Sequence, residues 1–172
     1  MKNIITTTSL MLTLSALPLI SFAQDSTKVE NPCERIEVER DKFENKSVFR
    51  MPGLRRARIT KYIEKGVSSY YLVLTTTGSV ATVSNKGAII LLSNGKKILK
   101  PAAEIDTDVN EYKSAGPGDF EYSAFIRLTP VDIEQLKKNQ ITAFKLYIFP
   151  QDVSDNEGSW IKVYLNCLLT MK

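Results

Sequence analysis

The sequence predicts a mainly β protein: an antiparallel sandwich or flattened barrel of about eight or nine strands, with one short α-helix near residues 130–138. Three observations support this. First, the sequence contains short runs with a period of two that are rich in β-branched and aromatic residues. Second, clusters of Gly, Asn, Asp, Ser and Pro separate these runs. Third, no long helices alternate with the runs. The predicted strands are 34–40, 57–64, 70–76, 87–92, 96–100, 120–128, 141–149 and 160–169.

The first 23 residues have the pattern of a secretory signal peptide. A lysine near the start precedes an apolar run from Leu10 to Ile20, and small residues stand before Gln24. The apolar run is shorter than the roughly 20 residues that span a bilayer, so no transmembrane segment is expected. The sequence therefore predicts an exported protein, periplasmic or extracellular, with a polar N-terminal segment at 24–33 and a single β domain at 34–172.

The charge pattern and the missing histidine exclude several functions. The chain has 23 basic and 19 acidic residues, interleaved without a long basic run, which argues against nucleic-acid binding. It contains no histidine, which excludes Ser-His-Asp and Cys-His catalysis and most zinc sites. No catalytic residue, metal or cofactor is therefore predicted.

Two cysteines, Cys33 and Cys167, stand near opposite ends of the predicted domain. In an exported protein, a single pair of this kind predicts a disulfide, which would tie the first strand to the last. Two buried free thiols are the alternative, because lone cysteines are often core residues.

The helix prediction rests on a start signal in "TPVDIEQLKKN". Thr129 is a good N-cap, Pro130 suits the first turn, and Asp132 stands where a capping-box acid belongs. We expect the helix to end by Asn139.

The stretch "SNGK" at 93–96 has two interpretations. Ser93 and Lys96 have the spacing of a Ser-x-x-Lys catalytic pair, which needs a helix. Asn94-Gly95 between two apolar strands instead predicts a type I′ hairpin turn, because both residues tolerate positive φ. The turn is the favoured interpretation.

An acidic stretch, "EIDTDVNE", offers the remaining enzyme hypothesis. Strand alternation places Glu104, Asp106, Asp108 and Asn110 on one face, and paired carboxylates can hydrolyse a glycosidic bond. A solvated strand face is the simpler explanation. Weak calcium binding by residues 104–111 or 152–158 also stays open, although neither loop completes an EF-hand.

A ligand-binding face is predicted near the C-terminus. If 141–149 and 160–169 are neighbouring antiparallel strands, alternation gives one face of exposed aromatics flanked by lysines. Such a face suits a glycan or a protein, whereas ordinary cross-strand pairs or a second buried layer are the alternatives. The predicted binding residues are Tyr147, Phe149, Trp160, Tyr164, Lys145 and Lys162, opposite a core face of Phe144, Leu146, Ile148, Ile161, Val163, Leu165 and Cys167.

The segments "KGVSSYYLVLTTTG", "KGAIILLSNGKKILK" and "FEYSAFIRLTPVDIEQLKKNQITAFKLYI" follow one another between Lys65 and Ile148. Their order resembles small secreted proteins of unknown function from Bacteroidetes-type bacteria, in which a sheet is followed by a capped short helix and another strand. The resemblance implies an exported location and a β fold, and it assigns no activity to any residue.

Together these patterns predict an exported, non-catalytic β domain that binds a protein or glycan partner in the periplasm or outside the cell. A hydrolase that uses the acids of 104–108 is one alternative. A structural accessory protein of the cell envelope is the other.

Overall fold

A computed structural model of the chain describes residues 31–53, 56–78, 86–109 and 120–172. The predicted signal peptide lies outside the described residues. The described part is mainly β, as predicted, with nine antiparallel strands in one sheet and two α-helices. The strands are β1 (Glu37–Asp41), β2 (Lys46–Arg50), β3 (Ala57–Glu64), β4 (Val67–Gly78), β5 (Lys86–Leu92), β6 (Lys97–Val109), β7 (Phe120–Arg127), β8 (Ile141–Leu146) and β9 (Phe149–Asp152).

The sheet has the order β1-β2-β3-β4-β7-β6-β5-β8-β9, with β1 and β9 at its edges. It curves so strongly that β4 and β9, five positions apart in this order, contact each other. Phe149 of β9 stacks on Tyr122 of β7, with ring centroids 4.4 Å apart. A Cβ on Gly78 of β4 would lie only 2.5 Å from the Phe149 ring. Two walls of one sheet therefore pack face to face, as in a sandwich.

The predicted helix is confirmed as α1 (Pro130–Lys138). Thr129 is its N-cap, and the Thr129 hydroxyl accepts a hydrogen bond from the Asp132 amide while the Asp132 carboxylate accepts one from the Thr129 amide. Asn139 closes the helix, with its amide donating to the Gln135 carbonyl. The capping box that the sequence indicated is thus formed by both partners.

The predicted last strand is wrong, because Asp155–Thr170 forms a second helix, α2. Its buried residues recur at three- and four-residue spacing, at Ile161, Leu165 and Leu168. This spacing forms one helical stripe, which packs against β3, β8 and α1. The β-branched and aromatic composition of 160–169 suggested a strand, but burial of the stripe inside the curved sheet outweighs that weak propensity.

The start of α2 lies in the segment that was expected to be a loop between two strands. Ser154 caps it, and the Ser154 hydroxyl accepts a hydrogen bond from the Glu157 amide. Gly158 follows, where a Cβ would lie 2.5 Å from the main-chain oxygen of Ile141 in β8. A glycine is therefore required for this close approach of helix and strand.

The predicted disulfide is confirmed, because Cys33 and Cys167 are bonded with their Cα atoms 5.3 Å apart. It does not join two strands, however. Cys33 lies in a 3-10 turn (Pro32–Arg35), which is capped by Asn31, and Cys167 lies in α2. The bond fixes the C-terminal helix to the segment that leads into β1.

Several strand boundaries also differ from the prediction. The expected strand 34–40 begins with the 3-10 turn, and β2 and β9 were missed. All five residues of β1 are exposed and four of them are charged, with Val38 as its single apolar residue. A short edge strand of this kind gives little periodic signal.

The "SNGK" turn is confirmed as a hairpin turn, but not as type I′. Gly95 has φ +79°, whereas Asn94 is not among the described residues with positive φ. The Gly95 amide donates to the Leu92 carbonyl, and the Leu92 amide donates to the Lys96 carbonyl. This is a three-residue hairpin loop in which only the glycine is left-handed.

No helix among the described residues combines the length and the apolar composition that membrane crossing requires.

Candidate functional site

The structure separates the six residues of the predicted binding face, because three of them lie on a helix. Trp160 and Tyr164 stack on each other along α2 with ring centroids 5.7 Å apart, and Tyr164 is buried. The Lys162 ammonium donates to the main-chain oxygen of Lys138 at the end of α1. Phe149 belongs to the core through its contact with Tyr122. The face predicted from paired strands therefore does not exist.

Lys145 and Tyr147 are the two predicted residues that remain together at the surface. Both line a groove of about 380 Å³ over β5, β6 and β8. Tyr147 has φ +53°, an unusual conformation for a tyrosine, and its amide donates to the Gly87 carbonyl. The neighbouring Ile148, expected in the core, is 57% exposed at the tip of the β8–β9 hairpin. We call this depression the lysine groove.

A different set of aromatic side chains lies on the outer face of the sheet. Tyr62, Tyr71 and Phe125 stand on β3, β4 and β7, on the side opposite the buried residues Leu72 and Ile126. The Tyr71 and Phe125 rings are stacked, with centroids 4.4 Å apart. Tyr62 stands edge-on to both, at 5.3 and 6.0 Å. These three rings form the aromatic cluster.

Two basic side chains, Lys46 and Arg127, lie beside the aromatic cluster. The Lys46 ammonium lies 5.1 Å from the centre of the Tyr62 ring, within the range of a cation–π interaction. Arg127, opposite Tyr71 in the strand register, donates to the Ser69 hydroxyl.

A second groove adjoins the aromatic cluster where β6 and β7 separate. The two strands pair from Ile105 opposite Ala124 to Val109 opposite Phe120, and the pairing does not extend to Pro101–Glu104 and Phe125–Arg127. The resulting β6–β7 groove has a volume of about 370 Å³. Phe125, which is 49% exposed, and Leu99, which is 62% exposed, both line it.

Strand alternation could have revealed the aromatic cluster in part. In "ARITKYIE", "YYLVLTT" and "FEYSAFIRL" the period of two places Tyr62, Tyr71 and Phe125 opposite the core residues of their own strands. The cluster also requires β3, β4 and β7 to be neighbours, although two strands, β5 and β6, separate β4 from β7 in the chain. That pairing has no local sequence signal.

Lys100 and Asp132 form an ion pair on the inner side of the sheet, where β6 meets α1. The Lys100 ammonium donates to the Asp132 carboxylate at 2.5 Å, and the Thr129 hydroxyl and amide donate to the same oxygen at 2.7 Å each. Desolvation by burial favours the neutral acid, but the hydrogen bonds from Lys100 and Thr129 outweigh it, so the pKa of Asp132 lies below its ordinary value. This network fixes α1 on β6.

The acidic stretch retains only part of its predicted arrangement. Glu104 and Asp106 lie on β6 and are both exposed. The side chain of Asp108, and Asn110 as a whole, lie outside the described residues. Within the described ranges, no group of three or more His, Cys, Asp or Glu side chains is placed to hold a metal ion. The predicted loop 152–158 is partly β9 and partly the first turn of α2.

Comparison of the chain with protein-family models, curated proteins and solved structures finds no match.

Proposed function

We propose that this protein is an exported, non-catalytic β domain that binds a partner through the aromatic cluster and the adjoining β6–β7 groove. The observation that carries the proposal is the pair of exposed apolar side chains, Phe125 and Leu99, on one open groove in the middle of the sheet. Contiguous apolar surface of this kind marks sites of interaction, whereas scattered apolar residues do not.

Export is supported by two features. The N-terminal sequence has the signal-peptide pattern. The chain also has a disulfide, Cys33–Cys167, and disulfides form and persist mainly in the oxidising compartments that exported proteins enter.

The ring geometry favours a protein partner over a glycan. A sugar ring stacks on an open aromatic face, but Tyr71 and Phe125 cover one face of each other and Tyr62 meets both edge-on. A partner protein, in contrast, can insert an apolar side chain beside Phe125. At the same groove, Arg127 can donate hydrogen bonds to a partner and Glu104 can accept them. Aromatic and arginine residues are enriched in protein–protein interfaces.

A photo-crosslinking amino acid tests the proposal in cells that export the protein. Benzoylphenylalanine at position 125 should give a discrete cross-linked adduct. The matched control is the same residue at position 43, because Phe43 is fully exposed in the β1–β2 turn and does not line the β6–β7 groove. Mass spectrometry then identifies the adduct as polypeptide or glycan. Equal cross-linking at both positions, or none at 125, would contradict the proposal, and a glycan adduct would correct the partner class.

A further inference from the structure

The lysine groove carries an inference that is independent of the aromatic cluster. We propose that it binds a single-chain amphiphile with a carboxylate head: the alkyl chain lies on the apolar floor and the carboxylate contacts Lys86 and Lys145. The groove lies over β5, β6 and β8, whereas the cluster lies over β3, β4 and β7. Three residues, Leu99, Lys100 and Pro101, line both the lysine groove and the β6–β7 groove.

The floor of the groove supports the alkyl chain. Ile89, Leu99 and Pro101 come from two neighbouring strands and line it side by side, and Leu99 is 62% exposed. Alkyl carbons that cover this surface remove it from water, and the burial of apolar surface favours binding.

The charges of the lining support the anionic head. Its ionisable groups are three lysines and Tyr147, and no acid lines the groove. The Lys100 ammonium is held by Asp132, so its charge is already balanced. Lys86 and Lys145 form no ion pair with any residue in the described ranges. Glu104 is opposite Lys86 in the strand register, but no ion pair joins the two side chains. An anion in the groove therefore meets two ammonium groups that no acid in the described residues already holds.

The size and shape of the site favour a small ligand. A volume of about 380 Å³ lies near the lower end of ligand sites, which span roughly 300–1,000 Å³. One wall is the β8–β9 hairpin, in which Tyr147 keeps a left-handed φ of +53° and its amide is bonded to the Gly87 carbonyl. This conformation is strained for a tyrosine, and such strain tends to occur at binding sites.

Decanoate, below its micelle concentration, is the probe, and amide NMR spectra of the folded full chain are the measurement. We expect saturable shifts at Gly87, Ile89, Leu99, Lys145 and Tyr147. Decanol and acetate, added at the same concentrations, separate the two parts of the ligand. Binding of decanol as tight as that of decanoate would overturn the role of the lysines, and acetate shifts equal to those of decanoate would overturn the role of the chain.

Charge reversal tests the site itself. Lys86→Glu/Lys145→Glu should weaken decanoate binding about tenfold or more, because two exposed attractions become repulsions. The control Lys42→Glu/Lys65→Glu has the same net charge, and its two exposed residues lie in the β1–β2 and β3–β4 turns. Its affinity should stay within about twofold of the parent. Equal loss in both double variants, or shifts that map to another surface, would overturn the proposal.

Discussion

The ammonium of Lys61 donates hydrogen bonds to the main-chain oxygens of Leu168 and Met171, at 3.0 and 2.6 Å. Lys61 points inward from β3 and is 3% exposed. It therefore satisfies two carbonyls at the C-terminus of α2, where a positive charge also interacts favourably with the helix dipole. The Phe49 and Tyr70 rings lie within cation–π distance of the same ammonium. No acid forms an ion pair with it in the described ranges.

Replacing Lys61 should loosen the C-terminal helix. We expect Lys61→Met to lower the free energy of unfolding by about 1–3 kcal/mol, because buried carbonyls lose their donor. Urea denaturation followed by the fluorescence of Trp160, the single tryptophan, measures this. Lys97→Met, at an exposed position of β6, is the control and should change stability by less than about 0.5 kcal/mol. Equal stability of the two variants would contradict the capping role.

The same lysine predicts a pH dependence. Burial lowers the pKa of Lys61, so the unfolded chain holds this proton more tightly than the folded one. Between the lowered folded pKa and the unfolded value of about 10.4, stability should therefore rise with pH. As the pH rises across that window, the free energy of unfolding of the wild type should increase relative to that of Lys61→Met. A difference that is flat with pH would show that Lys61 titrates as it does in the unfolded chain.

The capping box of α1 predicts a pH dependence in acid. The folded pKa of Asp132 lies below its ordinary value, so its contribution is complete above about pH 3.9 and is lost as the pH falls through the folded pKa. Asp132→Asn should cost about 1–3 kcal/mol at neutral pH, and the cost should shrink in acid. Asp106→Asn, an exposed acid on β6, is the control for thermal melts at pH 7 and pH 3. A cost that is the same at both pH values would refute the role of the ionised carboxylate.

The hairpin turn between β5 and β6 should depend on Gly95. Its φ of +79° strains any side chain, although no atom lies within 4 Å of a Cβ built there. Gly95→Val should lower stability by roughly 1–3 kcal/mol, while Gly95→Asn should cost less because asparagine tolerates this region. Thermal melts compare the stabilities of the two Gly95 variants.

Ser93→Ala should lower the free energy of unfolding by about 0.5–1.5 kcal/mol, since the Ser93 hydroxyl accepts a hydrogen bond from the Gln140 amide. Covalent labelling of Ser93 by a β-lactam would instead restore the enzyme interpretation.

The disulfide should contribute strongly to stability. It closes a segment with a sequence separation of 134, and chain-entropy estimates for loops of this size approach about 5 kcal/mol. Cys33→Ser/Cys167→Ser should therefore lower the free energy of unfolding by about 2–5 kcal/mol. Wild-type protein kept in reductant is the matched comparison. If the unfolded, unreduced protein yields two alkylatable thiols, the bond is absent.

The features that depend on neighbouring residues could be predicted from the sequence. Period-two alternation gave the mainly β class, Thr129 and Asp132 gave the start of α1, and Gly95 gave the hairpin. The disulfide followed from a different argument, because only two cysteines were available to pair.

The identity of the last element and the location of the exposed aromatics depend on long-range packing, which the sequence pattern does not show. Residues 160–169 are helical because Ile161, Leu165 and Leu168 fill the inside of a curved sheet, and that sheet exists only once distant strands have paired. Tyr71 and Phe125 meet because β4 pairs with β7, which is separated from it by two strands in the chain. Each strand's own pattern specifies which side chains face outward, but not which strand lies beside it, because any antiparallel neighbour satisfies the same backbone hydrogen bonds.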